Sequence, residues 1–204
     1  VIFVYISYNN MIDRNYICII GGAGHVGTPL GLALSSKGYN VALIDKNQHN
    51  IKKINQGKMP FMEEGCGTLL KKMLRRNRIF ATNKLDEVKK CKYIIVCIGT
   101  PINNKFKPDL KKFFSFFYVI RKYLKKDHIL IIRSSIYPGT CNKVYDIVKN
   151  YCKNLSYCPE RIAQGKSLKE LPQLSQIISG KNIKAKLESG KIFKKICKKI
   201  IFTK

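Results

Sequence analysis

The segment that most constrains the fold of this chain is a short apolar run that ends in a cluster of glycines. Residues 16–20 (Tyr-Ile-Cys-Ile-Ile) have the composition of a buried strand, and Gly21-Gly22-Ala23-Gly24 follows directly. Apolar residues then recur at helical spacing over residues 26–34. This order predicts a strand, a tight turn and a helix that ends near Gly38.

Further apolar runs extend this unit into a sheet. Residues 41–44 form a second run with Asp45 at its end, and other runs follow at 93–98, 129–132 and 155–157. Helical patterns lie between these runs, and such alternation is typical of parallel strands joined by crossover helices. We therefore expect an α/β fold, a doubly wound, Rossmann-like parallel sheet with helices on both faces.

The glycine cluster contains the pattern Gly22-x-Gly24-x-x-Gly27, whose glycines allow the turn, the close approach of a pyrophosphate and tight packing of helix on strand. Asp45 ends the next strand, where a carboxylate can bind both ribose hydroxyls of a dinucleotide. A carboxylate repels a 2′-phosphate, so we predict NAD as cofactor, although neighbouring Lys46 weakens the exclusion of NADP. The residues expected to contact it here are Gly22, Gly24, His25, Val26, Gly27 and Asp45.

Two more turns directly follow predicted strands, Gly99-Thr100-Pro101 and Tyr137-Pro138-Gly139-Thr140. Both should lie at the carboxyl edge of the sheet, where ligands bind in such folds. Apolar helical stripes at 69–74 and 110–124 are interpreted as core. Within the second stripe, Tyr118-x-x-x-Lys122 fits the spacing of short-chain dehydrogenases, but no catalytic serine precedes it at the usual distance, so we interpret the match as coincidence.

The chain is strongly basic, with 39 Lys and Arg against 12 Asp and Glu and a formal net charge of +27. Nine lysines lie in residues 181–204, where the apolar spacing predicts a basic helix. The alternative function is therefore a basic nucleic-acid or anion-binding module on a Rossmann-like fold. We favour a composition rich in Lys, Ile and Asn throughout and do not expect nucleic acid as a partner, because the aromatic residues fall in apolar stripes.

Other features bear on compartment and metal binding. No run approaches the roughly 20 apolar residues of a membrane span, so no membrane partner is expected. The eight cysteines form no C-x-x-C pair and the three histidines are scattered, so neither a disulfide framework nor a metal site is expected. Residues 1–10 lack the features of a signal peptide and precede Met11. We interpret them as an upstream extension and predict a cytoplasmic protein with its cofactor domain at 11–180.

Seven motifs occur in the order found in one family. They are residues 22–27, Asp45, 57–64, 99–102, 108–110, 133–140 and 158–165. Over residues 16–180 the chain resembles the N-terminal domain of the UDP-glucose/GDP-mannose dehydrogenase family, most of all its UDP-N-acetylmannosamine dehydrogenase branch. The resemblance implies two successive NAD-dependent oxidations that convert the C6 alcohol of a UDP-sugar to a carboxylate.

The resemblance also implies roles for individual residues. Thr100 and Pro101 should flank the cofactor, Ser135 should lie near the nicotinamide and the catalytic water, and Glu160 should serve in water activation or substrate positioning. From the residues alone, an alternative for Glu160 is a structural role, either as a helix cap or as the ion-pair partner of Arg161.

Three departures from the family pattern limit these implications. Ser135 stands in place of a threonine and keeps the hydroxyl, and Gln164 stands in place of a glutamate common in related members. The family's catalytic cysteine belongs to a central region without a counterpart here, and Cys158 lacks its context. Because oxidation of an aldehyde to an acid needs a thiolate, we expect a catalytically incomplete cofactor part. Residues 181–204 are interpreted as the truncated start of the connection to the central region. The homodimer typical of the family is expected only when that central region is present.

Overall fold

A computed structural model of the protein describes residues 13–100 and 110–203. The strands are β1 (Asp13–Ile20), β2 (Asn40–Ile44), β3 (Ile79–Thr82), β4 (Cys91–Val96), β5 (Ile129–Ile132), β6 (Leu155–Tyr157), β7 (Ser175–Gly180) and β8 (Lys199–Phe202). The α-helices are α1 (Gly27–Ser36), α2 (Gln48–Asn55), α3 (Cys66–Arg75), α4 (Lys111–Ile120), α5 (Thr140–Val148), α6 (Ser167–Glu170) and α7 (Ile183–Phe193). Two short 3₁₀ helices lie at Leu85–Lys90 and Arg121–Tyr123.

The strand order confirms the doubly wound fold. The described strands form one sheet in the order β3-β2-β1-β4-β5-β6-β7-β8. From β1 the chain winds outward to β2 and β3, then returns to the other side of β1 and continues in parallel through β4, β5 and β6. The winding therefore reverses between β1 and β4, and the carboxyl ends of these two strands form the crevice in which such sheets bind ligands.

Helices cover both faces of this sheet, as the sequence predicts. Alternate residues of β1 pack on opposite sides: Ile17 and Ile19 join one apolar cluster with α1, α3 and α7, and Cys18 and Ile20 join another with α4 and α5. Strands covered on both faces bury every side chain, which is why residues 17–20 of β1 and all of β5 are apolar without alternation. The chain's central strands thus form a rigid platform under the crevice.

Helix α4 separates its two sides clearly. Phe113, Phe117 and Ile120 are buried against the sheet, as the stripe predicts, whereas Tyr118 and Val119 are exposed. The aromatic residues of this helix therefore do not all serve the core.

The last part of the sheet differs from the prediction. The helix expected over residues 181–204 ends at Phe193, and β8 follows in place of further helical turns. β8 pairs in parallel with β7, which itself runs antiparallel to β6. The helical spacing is wrong as a guide here because pairing with β7 satisfies the backbone of β8, and the Phe202 ring packs where Gly190 has no side chain. A Cβ at Gly190 would lie 2.8 Å from that ring.

The predictions for residues 1–10 and for Pro101 fall outside the described residues. None of the helices in the described ranges is long and apolar enough to cross a membrane.

Candidate cofactor site

The glycine-rich turn lies at the carboxyl end of β1, at the reversal of the winding. The backbone N–H groups of Gly21 and Gly22 both donate to the Ile44 carbonyl, at 2.9 and 3.1 Å. On the other side, the Cys97 N–H donates to the Ile20 carbonyl at 2.8 Å. The turn is thus fixed to both neighbouring strands before any ligand binds.

The glycines of the motif differ in what surrounds them. A Cβ at Gly22 would lie 2.6 Å from the Leu43 Cα, and a Cβ at Gly27 would lie 2.5 Å from the Gly21 carbonyl oxygen. At Gly24 the nearest atom would be 3.3 Å away, and it belongs to the turn itself. Gly22 and Gly27 are therefore required by packing, while Gly24 faces open space where a ligand can approach the backbone.

Helix α1 begins at this turn and is built to face an anion. No side chain caps its first turn, and no acidic residue lies there. Thr28, at the position where a phosphate-loop ATPase has its lysine, is buried, and its hydroxyl donates to the Gly22 carbonyl at 2.9 Å. The first turn of the ten-residue helix thus directs backbone N–H groups and its positive dipole end toward the crevice.

Asp45 lies where the sequence places it, directly after β2 and against the glycine turn. One carboxylate oxygen, Oδ2, accepts from the Ala23 N–H at 3.0 Å, and the other, Oδ1, accepts from the Asn47 N–H at 3.0 Å. Lys46 is exposed beside it. An oriented carboxylate next to Gly24 and the α1 N-terminus is what a dinucleotide with free ribose hydroxyls requires, so these residues fit the cofactor predicted from the sequence.

Thr100 and Ser135, predicted on two different turns, are brought together. The Thr100 hydroxyl donates to the Ser135 carbonyl oxygen at 2.7 Å, and the Ser135 side chain is exposed at the carboxyl edge. Thr100 follows β4 and Ser135 follows β5, so the contact joins the loops at the carboxyl ends of two adjacent strands. The Ser135 hydroxyl is therefore free to orient a water or a substrate group.

Glu160 is held by four donors. Its Oε2 accepts from Arg133 Nε at 2.7 Å and lies 2.5 Å from Arg133 Nη2, while Oε1 accepts the backbone N–H groups of Arg161 at 2.8 Å and Ile162 at 3.1 Å. The ion-pair partner is therefore Arg133, and the Arg161 side chain turns away to donate to the Ser175 carbonyl. A carboxylate whose two oxygens are so occupied is better suited to hold the following loop in place than to take a proton from water.

Arg133 lies in the motif at residues 133–140, and the sequence assigns it no role. Its guanidinium is buried, donates to Gln176 Oε1 at 2.8 Å and to the Cys158 carbonyl at 3.3 Å, and lies 4.9 Å from the Phe193 ring centroid. One side chain directly after β5 thus joins the end of β6, strand β7 and helix α7 to Glu160. Charge pairing across such sequence distances leaves no periodic signal, which is why the sequence did not reveal it.

Glu63 is a second carboxylate that the sequence left without a role. It is buried, and its two oxygens accept the N–H groups of Gly165 at 2.9 Å and Ser167 at 2.6 Å. The Glu64 N–H also donates to the Gly165 carbonyl at 3.1 Å. The loop before α3 therefore clasps the loop that follows Glu160, and the two predicted motifs around Glu63 and Gly165 form one structure.

The cofactor turn and the Glu160 loop share one cleft. Its lining includes His25, Val26, Glu160, Gln164 and Ser167. The His25 ring also lies 4.0 Å, centroid to centroid, from the ring of Phe61. The structure thus brings together the predicted cofactor residues and the predicted catalytic loop, with Gln164 exposed at the position where the family pattern differs.

None of the cysteines has the surroundings of a reactive thiolate. Burial raises the pKa of the Cys158 thiol to about 12, against the partial opposing effect of Arg133. Burial likewise raises the thiol pKa of six others, Cys66, Cys91, Cys97, Cys141, Cys152 and Cys197, and Cys18 is fully buried. A thiol with a raised pKa is a poor nucleophile at neutral pH. The residues described also contain no group of three or more side chains arranged to hold a metal ion.

The fold and the site define a class of protein, a dinucleotide-binding α/β domain with a carboxylate held against its glycine turn. Residues 15–201 match the UDP-glucose/GDP-mannose dehydrogenase family, NAD binding domain. The chain belongs to this family of oxidoreductases, and NAD is its cofactor. The match continues through α7 and into β8, beyond the predicted limit of the resemblance at Gly180.

Individual relatives agree with this assignment. The UDP-N-acetyl-D-mannosamine dehydrogenase of Methanococcus aeolicus is 35% identical over 85% of this chain and 40% of its own length. The UDP-glucose 6-dehydrogenase of Rickettsia felis is 28% identical over 86% of this chain and 40% of its own length. A solved structure, that of the UDP-D-ManNAc dehydrogenase of Pyrococcus horikoshii, superimposes with a TM-score of 0.86 and 28% identity over 92% of this chain and 46% of that one. The chain thus spans less than half the length of these relatives.

Proposed function

We propose that this chain is the cofactor-binding part of an NAD-dependent nucleotide-sugar 6-dehydrogenase that acts on UDP-N-acetylmannosamine or UDP-glucose. The observation that carries the proposal is the Asp45 carboxylate bound to the glycine turn, whose next residues, His25 and Val26, share a cleft with the Glu160 loop. The first substrate is favoured because the relative from Methanococcus aeolicus, at 35% identity, bears that name.

In this proposal each residue has a task set by its place. The turn at Gly22 and Gly24 and the N-terminus of α1 bind the pyrophosphate, and Asp45 binds the adenosine ribose. NAD held there would supply the acceptor for the hydride that leaves C6 of the sugar. Ser135 orients a water or the substrate hydroxyl at the carboxyl edge, and Glu160 positions the loop that carries Gln164.

We further propose that the chain by itself does not complete the oxidation to the acid. The second step in such a reaction passes through a covalent thiohemiacetal, which needs an accessible thiolate. The cysteines here are buried or have a raised thiol pKa, so no residue of this chain supplies that nucleophile. A nucleotide-sugar partner bound only by this part should therefore be held without turnover to the acid.

The proposal is tested by fluorescence titration with NADH and NADPH. Wild-type protein should bind NADH more tightly than NADPH, and Asp45→Asn, which keeps an acceptor for the Ala23 N–H, should weaken NADH binding about tenfold by loss of a charge-assisted ribose contact. Gly24→Val should also weaken it, because the side chain fills the open approach to the backbone. Lys52→Ala, an exposed change on α2, is the control for loss of general charge.

Two results would count against the proposal. Equal affinity for NADH in the wild type and Asp45→Asn would remove the assigned cofactor site. Acid formation from UDP-N-acetylmannosamine and NAD by this chain alone would show that a nucleophile exists among residues that we regard as inert. Circular dichroism of each variant ensures that a loss of binding is not a loss of fold.

A further inference from the structure

An open groove between α4 and α5 has no part in the proposed dehydrogenase site. It is open to solvent and has a volume of about 690 Å³, and its walls include Phe114, Tyr118, Arg121, Lys143, Ile147 and Tyr151. Both helices connect neighbouring parallel strands and so run from the carboxyl edge of the sheet back to its amino edge. Arg121 and Tyr151 follow the ends of these helices and therefore lie toward the amino edge, away from the glycine turn.

Two tyrosine rings of the groove lie around one cation. The Arg121 guanidinium carbon lies 5.1 Å from the Tyr118 ring centroid and 5.9 Å from that of Tyr151. The two tyrosines remain 55% and 39% exposed although Arg121 lies against them. Large aromatic side chains that are held in place and still exposed offer π faces to a ligand.

The charge of the groove is positive. Lys111, Lys143 and Arg121 line it, and Asp146, the one acidic group among the described residues that line it, lies 2.8 Å from the ammonium group of Lys149. The groove therefore combines flat aromatic surface with cationic groups that suit a phosphate.

We propose that this groove binds a free mononucleotide, with its base stacked on Tyr118 and Tyr151 and its phosphate on Lys143. The arrangement favours a single nucleotide over a nucleic-acid strand because both rings lie within 6 Å of the same guanidinium carbon and thus at one place in the groove. A strand requires successive platforms along a charged track. The proposal is independent of the dehydrogenase function, since the two sites share no residue.

The test uses the absence of tryptophan from the chain. In Tyr118→Trp the new indole is the only tryptophan and reports stacking in the groove, while a nucleotide bound at the cofactor turn leaves it unaffected. Titration with 5′-GMP should quench its fluorescence saturably, and guanosine, without the phosphate, should bind at least about fivefold more weakly. Added Tyr151→Ala should weaken binding about fivefold or more, because base stacking on an aromatic ring contributes ~1 kcal/mol or more.

A matched pair of charge variants separates the groove from the general charge of the chain. In the Trp background, Lys143→Ala should weaken GMP binding several-fold, whereas Lys52→Ala with Lys72→Ala, exposed on α2 and α3, should leave it within about twofold. Absence of quenching, equal binding of guanosine and GMP, or an equal loss in the Lys52/Lys72 variant would overturn the proposal. Tighter binding of dodecathymidylate than of GMP would overturn it in favour of a nucleic-acid surface.

Discussion

We expect Arg133→Met to destabilise the protein by about 3–5 kcal/mol, because it leaves the Glu160 carboxylate without its buried partner. The Arg133 side chain is 1% exposed and that of Glu160 is 13% exposed, so water does not replace the lost contact. Arg133 also donates to Gln176 at 2.8 Å and packs on the Phe193 ring. Methionine fills part of this volume and supplies none of the hydrogen bonds.

A double-mutant cycle isolates the contribution of the pair. Glu160→Gln leaves the guanidinium buried without a counter-charge, and Arg133→Met with Glu160→Gln removes both charges. The cost of the double variant should be lower than the sum of the single costs by about 2 kcal/mol or more, because each single variant contains the penalty of one unpaired buried charge. Urea unfolding followed by circular dichroism measures the three free energies, and the coupling should persist at high salt because salt screens buried pairs weakly.

Arg161→Met is the matched control. Arg161 is next to Glu160 in sequence and exposed, and it contributes its backbone N–H to the carboxylate, which the substitution retains. Its loss should cost no more than about 1 kcal/mol, the upper value for an exposed contact. The reasoning is refuted if Arg133→Met costs no more than Arg161→Met, or if the two single costs of the cycle simply add.

Three further changes test other parts of the structure by the same unfolding assay. Gly27→Ala should destabilise the protein by about 1–3 kcal/mol, because its Cβ would lie 2.5 Å from the turn backbone. Gly67→Ala in α3, where a Cβ meets nothing within 4 Å, should be neutral or stabilising by up to about 1 kcal/mol. Equal effects of the two changes would contradict the packing argument. Burial and two nearby lysines lower the pKa of His128 to about 4, so the unfolded chain takes up a proton near pH 6.5 while the folded one does not. Stability should therefore fall by up to about 3 kcal/mol as the pH drops from about 6.5 to about 4, and His128→Asn should lack this fall; the same pH profile in both proteins would assign the effect to other groups. Glu63→Gln should cost about 1–3 kcal/mol of stability, because an amide offers one acceptor oxygen to the two N–H groups that the carboxylate binds. The matched change at the exposed neighbour, Glu64→Gln, should change stability little. A Glu63 variant as stable as the Glu64 variant would show that the contact between Glu63 and the loop at Gly165 is not needed.

The local parts of the fold could be predicted from neighbouring residues. The strand, glycine turn and helix at residues 16–38 depend on contacts within one stretch of chain, and β5 and β6 match the predicted apolar runs at both ends. The same holds for Asp45, because the end of a parallel strand beside a glycine turn determines where its carboxylate lies. Periodicity and turn chemistry act over a few residues, so they are visible in a single sequence.

The remaining features depended on contacts between distant segments. β8 replaces the predicted helix because its backbone pairs with β7, and the rings on α4 divide between core and groove only when α5 packs beside it. The partner of Glu160 is Arg133, 27 positions away, and that of Glu63 is the loop at Gly165, 102 positions away. The sequence by itself thus determined the parallel strands β1, β2, β4, β5 and β6, the glycine turn and the position of Asp45 at the end of β2. Tertiary structure alone decided which charges are paired and which aromatic faces stay exposed, because a buried charge is stabilised by whichever partner the fold brings to it, at any distance along the chain.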